Sequence, residues 1–430
     1  MNIDKMRTAI LEDVFLPMFQ KLYGSDEVTL MHHKTRYLEA VNKFAELYPD
    51  RKAIRIFSAP GRTEIGGNHT DHQHGCVLAA AVNLDAVGVA AFHEDGVIRV
   101  KSEGYDAFTV KLRDLSVQKN EMGTTAIIRG IVAKFSEMGV KIGGFDLYCT
   151  SDVVSGSGIS SSAAFETLIG TMIDTYYNGG KAGAVEIAKI GQYAENAYFG
   201  KKSGLMDQMV SSVGGLVFVD FFDTQQPEVV NFECSFENYG YCLCITDTKS
   251  SHADLTEDYV AIRSEMESVA QQFGKSYLRQ VSEVAFYNEI PNLREKCSDR
   301  AIVRAAHFFE ENTRAKDEAA ALQAGDFEAF LGLVRKSGHS SAILLQNQYS
   351  AASPQNQAIT LAILMSRKFL GDNGAVRVHG GGFAGTIQAF VPLSLADGYI
   401  AEMEKIFGEK SCTKMRIRPV GGVELTKEGN

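Results

Sequence analysis

Cationic charge is in short supply along these 430 residues: 43 Lys and Arg stand against 53 Asp and Glu, a formal net charge of -10. A general nucleic-acid binder needs cationic surface to displace counterions from phosphate, so no nucleic-acid partner is expected. A small anionic ligand stays open, since a helix N-terminus and a few basic residues hold phosphate locally. Long apolar runs are lacking too. The longest, Val77 to Phe92, is interrupted by Asn83, Asp85 and Gly88, which falls short of a membrane span. The opening MNIDKMRTAILEDVF has early acidic residues and no apolar core, which does not fit a signal peptide. The expected location is cytoplasmic, with no membrane partner. Seven cysteines include no CxxC pair, and an odd count completes no disulfide framework. Cys242 and Cys244 alternate with Tyr241, Leu243 and Ile245, the pattern of thiols buried in a strand rather than of metal ligands. No internal repeat, low-complexity tract or sharp Pro/Gly/Ser linker appears.

What is present is ordinary globular usage, 45% hydrophobic and 22% charged residues, enough for a core that supports an enzyme. Apolar spacings of three and four predict helices over 1–50, 124–138, 160–177 and 185–198, and later over 254–273, 299–324, 326–346 and 355–370. Strands are predicted at 54–59, 145–149, 216–221, 241–246, 375–379, 386–391 and 413–418, with a hairpin from 97–101 and 108–112. Hairpins mixed with helices, without regular strand–helix alternation, imply an α+β fold. The softest point between two lobes is 222–240, around DTQQPE.

Three glycine-punctuated stretches and one acidic helix start carry the chemistry. Ser58–Asp71 packs Arg62, Glu64, Asn68, His69 and Asp71 into a turn after a strand. It reads as a polar surface turn or, given that concentration, as a polyol-binding loop, because carboxylate, amide and imidazole bond sugar hydroxyls directionally. Val154–Ala164 opens a helix after a strand with small residues and serines suited to an N-cap, either a capped helix or an anion-binding terminus. It is neither a dinucleotide GxGxxG, since Ser161 sits where Gly is needed, nor a Walker A loop; the one GKS tail, 274–276, has Val269 at the first glycine. His379–Gly385 joins two strands, as a tight hairpin or as a backbone that approaches a ligand closely. Asp207 stands at the start of an apolar helix, where an acid is favourable with the dipole and alone implies no catalysis.

Together these segments resemble the GHMP small-molecule kinases, and within them the galactokinases. GRTEIGGNHTD at 61–71 is similar to the galactokinase signature, GSGISSSAA at 156–164 to the phosphate loop, GLMDQ at 204–208 to the segment of the catalytic aspartate, and HGGGFAG at 379–385 to the third motif. Tyr259 and Arg263 in DYVAIR match a Tyr-x-x-x-Arg pattern. The matches keep family order over nearly the whole chain.

The resemblance implies a two-lobed fold with a helical extension at 1–30, an N-terminal domain at 31–230 and a C-terminal domain at 231–430, holding ATP and sugar between the lobes. It implies transfer of the γ-phosphoryl of ATP to the anomeric hydroxyl of galactose. Asp207 would act as base or orient the sugar hydroxyl, with Arg62 beside it. Gly156, Ser157, Gly158, Ile159, Ser160, Ser161 and Ser162 would cradle the phosphates, Ser162 and Glu195 would hold Mg²⁺, and Asn68, His69, Asp71, Gly204 and Tyr259 would contact the sugar. Nothing here indicates an oligomeric state.

The chain departs from the galactokinase pattern near the sugar. Asn68 replaces a Glu expected at the C6 hydroxyl, His72-Gln73-His74-Gly75 replaces Tyr-Asn-Gly-Gly, and Ala79 replaces Pro. On this reading Asn68→Glu improves galactose use if the pocket is otherwise galactose-shaped. A kinase of an N-acetylated, 6-deoxy or uronic hexose, and a non-catalytic sugar sensor, are the alternatives.

Overall fold

The structure is a computed structural model describing residues 1–118, 121, 123–153, 158–200, 203–250 and 255–426. Three helices open the chain: α1 (Ile3–Leu11), α2 (Leu16–Tyr23) and α3 (Glu27–Leu47). Side chains of Asn2 and Asp26 accept from Lys5 N and Thr29 N and so cap α1 and α3. The next strands and helices are β1 (Arg55–Gly66), β2 (Cys76–Phe92), β3 (Val97–Ser102), β4 (Phe108–Lys111), α4 (Thr124–Glu137), β5 (Gly144–Ser151), α5 (Ser161–Tyr177), α6 (Gly183–Ala194), α7 (Met206–Val213), β6 (Leu216–Asp220) and β7 (Glu228–Phe232).

Their strands form one sheet, in the order β1-β2-β5-β3-β4, with β6 on β2, β7 on β6, and the strand Val423–Glu424 returning from the far end of the chain to pair with β1. The interrupted apolar run is β2. Its first half pairs with β6, its second half with β5, and β1 flanks both. Successive side chains of a strand point to opposite faces. Val87, Val89 and Ala91 meet Phe19, Tyr37, Val41 and Phe44 of the opening helices, whereas Ala86 and Ala90 meet the core that includes Leu168 of α5. A strand covered on both faces reads as continuous apolar sequence. The opening helices are also pinned by charge: buried Asp85 of β2 accepts from Arg36 Nη1 at 2.7 Å, Arg418 Nη1 at 2.9 Å and Tyr23 Oη at 2.5 Å.

The second half supplies β8 (Tyr241–Asp247), α8 (Thr256–Gln272), α9 (Glu283–Leu293), α10 (Asp299–Gln323), α11 (Phe327–Ser340), α12 (Ala358–Leu370), β9 (Ala375–Val378), β10 (Thr386–Pro392), α13 (Ala396–Phe407) and β11 (Cys412–Met415), followed by the returning strand, β12. A four-stranded antiparallel sheet runs β11-β8-β10-β9. Cys242 and Cys244 are buried free thiols in β8. The α+β reading holds. Five elements were not anticipated: β2, noted only as an interrupted apolar run; β7, which lies in the 222–240 segment and extends the first sheet; the short returning strand β12; α13; and α9, whose internal Pro291 hides it from a periodicity search. Among the described residues, no helix is long and apolar enough to cross a membrane.

Candidate active site

Two register shifts in the pairing of β1 with β2, at Pro60/Arg62 and Glu64/Gly66, bracket the residues that matter most; such irregularities re-aim side chains. Arg62 is buried and grips Asp207 with both arms of its fork, Nε to Oδ1 at 2.6 Å and Nη2 to Oδ2 at 2.9 Å. Bidentate geometry makes this a strong and directional pair. Arg62 Nη1 donates to Gly158 O and Arg62 N to Ile159 O, so β1 is stitched to the residues preceding α5. Burial opposes the Arg62 charge, but the Asp207 carboxylate outweighs it and holds the guanidinium above its usual range. Asp207, in the first turn of α7, also accepts from Ser160 Oγ at 2.7 Å.

Ser160 corrects one expectation. Its hydroxyl makes no capping bond to α5; the residue sits in the left-handed region at φ 59° and spends its side chain on Asp207. Gly158 has φ 75°, and a Cβ there would lie 2.9 Å from Thr386 Oγ1, so glycine is required twice over. Gly156 and Ser157 lie outside the described residues. Ser161 and Ser162 open α5 and line a cavity of about 640 Å³, whose further walls include Tyr105, Phe108, Ile127 and Phe165. Hydroxyls at a helix N-terminus facing an apolar slot suit a nucleotide, phosphates at one end and base at the other. One turn after Ser162, buried Glu166 shares Gln208 with buried Glu195: the amide donates to the two carboxylates at 2.9 and 3.1 Å. These are hard oxygen donors of the kind that fits Mg²⁺.

The proposed sugar residues gather around the turn between β9 and β10. Three successive glycine carbonyls each receive one of them: Gly380 O takes Asn68 Nδ2 at 2.7 Å, Gly381 O takes His69 Nε2 at 2.9 Å, and Gly382 O takes Tyr259 Oη at 2.9 Å. Glycine is needed here, since a Cβ on Gly381 would come 2.6 Å from Tyr259 Cε1 and one on Gly382 2.2 Å from Asn347 O. Asp71 touches Gly204, where a Cβ would meet Asp71 Oδ2 at 2.5 Å. Burial pushes the Asp71 carboxyl above its ordinary range. Beside Asp71 and Gly204 opens a cavity of about 470 Å³, walled also by His72, Leu205, Arg263 and Tyr277.

Asn68 stands apart from the open pocket. It is fully buried; Nδ2 donates to Glu64 Oε1 at 2.9 Å as well as to Gly380 O, and Oδ1 accepts from Asn347 Nδ2 at 2.9 Å. Its amide is saturated by protein, so the structure gives it a supporting position in the loop rather than a face toward the cavity. A carboxylate there would confront two acceptors, which argues against the expectation that Asn68→Glu improves galactose use. Sequence reasoning also missed Glu166 and Gln208, and the His307, Glu311, Ser341 and Asn347 set beneath the loop. The spacing Ser162–Glu166 was a usable signal for the first.

Comparison with known proteins agrees with this geometry. Residues 42–92 match the galactokinase galactose-binding signature and 126–215 the GHMP kinases N terminal domain. A galactokinase of Actinobacillus pleuropneumoniae serotype 5b is 31% identical over 371 residues, covering 86% of this chain and 92% of that protein. A Streptomyces coelicolor galactokinase is 30% identical, covering 87% and 94%. In fold, the Lactococcus lactis galactokinase solved with galactose aligns at TM-score 0.77 and 24% identity over 90% of this chain and 99% of that one.

Proposed function

Because the chain belongs to the galactokinases, sugar kinases of the GHMP fold, we propose that it transfers the γ-phosphoryl of ATP to the anomeric hydroxyl of galactose. The observation that carries this reading is the Arg62–Asp207 pair, fastened through Ser160 and Gly158 to the start of α5, with the nucleotide-shaped cavity along one side and the His69–Asp71 loop along the other.

Phosphoryl transfer asks a protein for positioning and for neutralisation of charge, with little covalent work. Asp207 accepts from the sugar hydroxyl and aims its oxygen. With its charge compensated by Arg62, this carboxylate is better placed to orient the nucleophile than to act as a strong base. The Arg62 guanidinium is ready to stabilise negative charge that grows on the attacking oxygen and the phosphoryl group. His69, Asp71, Gly204 and Tyr259 hold the ring, with His69 and Tyr259 oriented by the glycine carbonyls. The α5 start, Gly158 to Ser162, receives the phosphates, the slot between Phe108, Ile127 and Phe165 takes the base, and Ser162 with Glu195, supported by Glu166 through Gln208, provides the oxygen ligands for Mg²⁺. When bound, Mg²⁺ supplies charge neutralisation across the phosphates.

The test is ATP turnover, with detection of the sugar 1-phosphate, across a panel of galactose, glucose, N-acetylgalactosamine, fucose and galacturonate. Galactose with the highest kcat/KM is the expected result. An N-acetylated, 6-deoxy or uronic hexose leading by tenfold would reassign the substrate, and no turnover of any sugar would remove the kinase reading.

A further inference from the structure

Helix α10 runs beneath the loop with a charged face turned inward. Arg304, His307, Glu311, Arg314 and Glu318 recur at spacings of three and four, and all are buried. Glu311 Oε1 accepts from the backbone amides of Gly67 at 3.2 Å and Asn68 at 3.3 Å and from Ser337 Oγ at 2.6 Å, while Arg314 pairs with Oε2. His307 Nε2 donates to Asn68 O at 2.9 Å. The backbone that carries Asn68, His69 and Asp71 is thus gripped from below at donor and acceptor alike.

Glu318 sits one and two turns further along and is also fully buried, yet neither of its oxygens has a hydrogen-bond partner among the described residues. It lies against the backbone of Gly66, where a Cβ would come within 1.6 Å of Oε2. The charged groups that face it are Glu311 and Arg314 from its own helix, Glu64 from β1 and Arg377 from β9. Three carboxyls against two guanidiniums leave the buried cluster one negative charge in excess, and an ionised carboxylate without donors is costly in such a place. One proton removes the excess, and Glu318, the carboxyl without a donor, is where it belongs.

We propose that Glu311 is a positioning residue for the loop, and that Glu318 beside it is kept as the neutral acid so that Glu311 remains the ionised partner of the Gly67 and Asn68 amides. This rests on the reading of 67–71 as the sugar loop. Burial opposes the charge on Glu311, but His307, Arg314 and Arg377 outweigh it and hold its carboxyl down to about 2. Burial and then Glu311 push Glu318 well above the carboxylate range. The linkage has a definite sign: a raised folded-state value contributes stability below the ordinary Glu value near ~4.3, and that contribution is lost as pH rises toward the folded value.

Two variants of the full-length enzyme test this. For Glu318→Gln, a neutral isostere, the melting temperature should exceed that of wild type by a margin that widens by at least ~3 °C between pH 5 and pH 9. A margin that stays constant, or a variant less stable than wild type at pH 9, overturns the neutral-acid assignment. For Glu311→Gln the galactose KM should rise about tenfold, the loss of a charged hydrogen bond, with the ATP KM within about twofold. An unchanged galactose KM overturns the positioning role. Should Glu311→Gln fail to fold, the wild-type galactose KM is expected to climb toward pH 9 while that of Glu318→Gln does not, and coincident profiles refute the link to the loop. The melting arm needs no substrate, so a preference for another sugar would overturn the substrate reading and leave this one standing.

Discussion

At the residue scale, Asp207 accepts from both arms of Arg62 and from Ser160. Asp207→Asn keeps one acceptor but turns an amide N–H₂ toward a donor of Arg62 and removes the charge that Arg62 balances. We expect kcat to fall at least ~10², with equilibrium galactose affinity by calorimetry little changed, as for loss of an interaction made mainly in the transition state. Turnover within tenfold of wild type would take Asp207 out of the chemistry. Asn68 presents the converse case. Its N–H₂ lies between Glu64 Oε1 and Gly380 O, both acceptors. A glutamate there adds a carboxylate to a cluster already rich in them, so Asn68→Glu is expected to cost about 2 kcal/mol or more in denaturant melts. A variant as stable as wild type would show that the loop rearranges freely.

Elements are tied to one another by buried polar contacts. The opening helices are locked to the sheet by Asp85, whose carboxyl is held down to about 2: burial opposes its ionisation, and Arg36 and Arg418 overcome it. Asp85→Asn leaves Arg418 buried without that counter-charge and removes one from Arg36, which keeps Asp152 at 2.8 Å. The expected loss is about 3 kcal/mol, read from urea melts, with KM values unaltered. The β9–β10 turn works by backbone rather than side chain. Gly381→Ala places a methyl 2.6 Å from the Tyr259 ring and should displace it, raising the galactose KM about tenfold while the ATP KM holds. Equal rises in both would mean that the turn serves the whole cleft and not the sugar.

Over the whole molecule, pH stability follows from groups held in the wrong state for their class. Burial lowers five histidines, His33 and His379 to about 3, His307 to about 4, His72 well below its ordinary value and half-buried His74 below it. A depressed histidine stabilises the fold above its unfolded value near ~6.5, and that stability is lost as pH falls toward the folded value. Glu318 and Asp71, both raised, work in the opposite sense above the ordinary carboxylate range. Between about pH 4.5 and 6.5 the five histidines outnumber the two acids, so the melting temperature should rise with pH to a maximum near ~6.5 and decline beyond it. A melting temperature that is flat from pH 7 to pH 5 would contradict this.

The sequence alone determined what depends on local spacing. Periods of three and four or of two marked most helices and strands, and the glycine stretches around 61–71, 156–164 and 379–385 with GLMDQ were legible because backbone shape at a turn is a property of a few neighbouring residues. The tertiary structure decided which polar groups are buried and against what. The spacing His307, Glu311, Arg314, Glu318 is plain in the sequence, but charged residues on a helix ordinarily face water, and only the loop 244 residues earlier in the chain turns that stripe inward. Ser160 likewise reads as a cap until Asp207, 47 residues on, takes its hydroxyl. Asn68 reads as a ligand until Glu64, Gly380 and Asn347 consume its amide. Hydrogen-bond capacity is finite, and which partner claims it depends on the packing of distant segments, which local spacing does not encode.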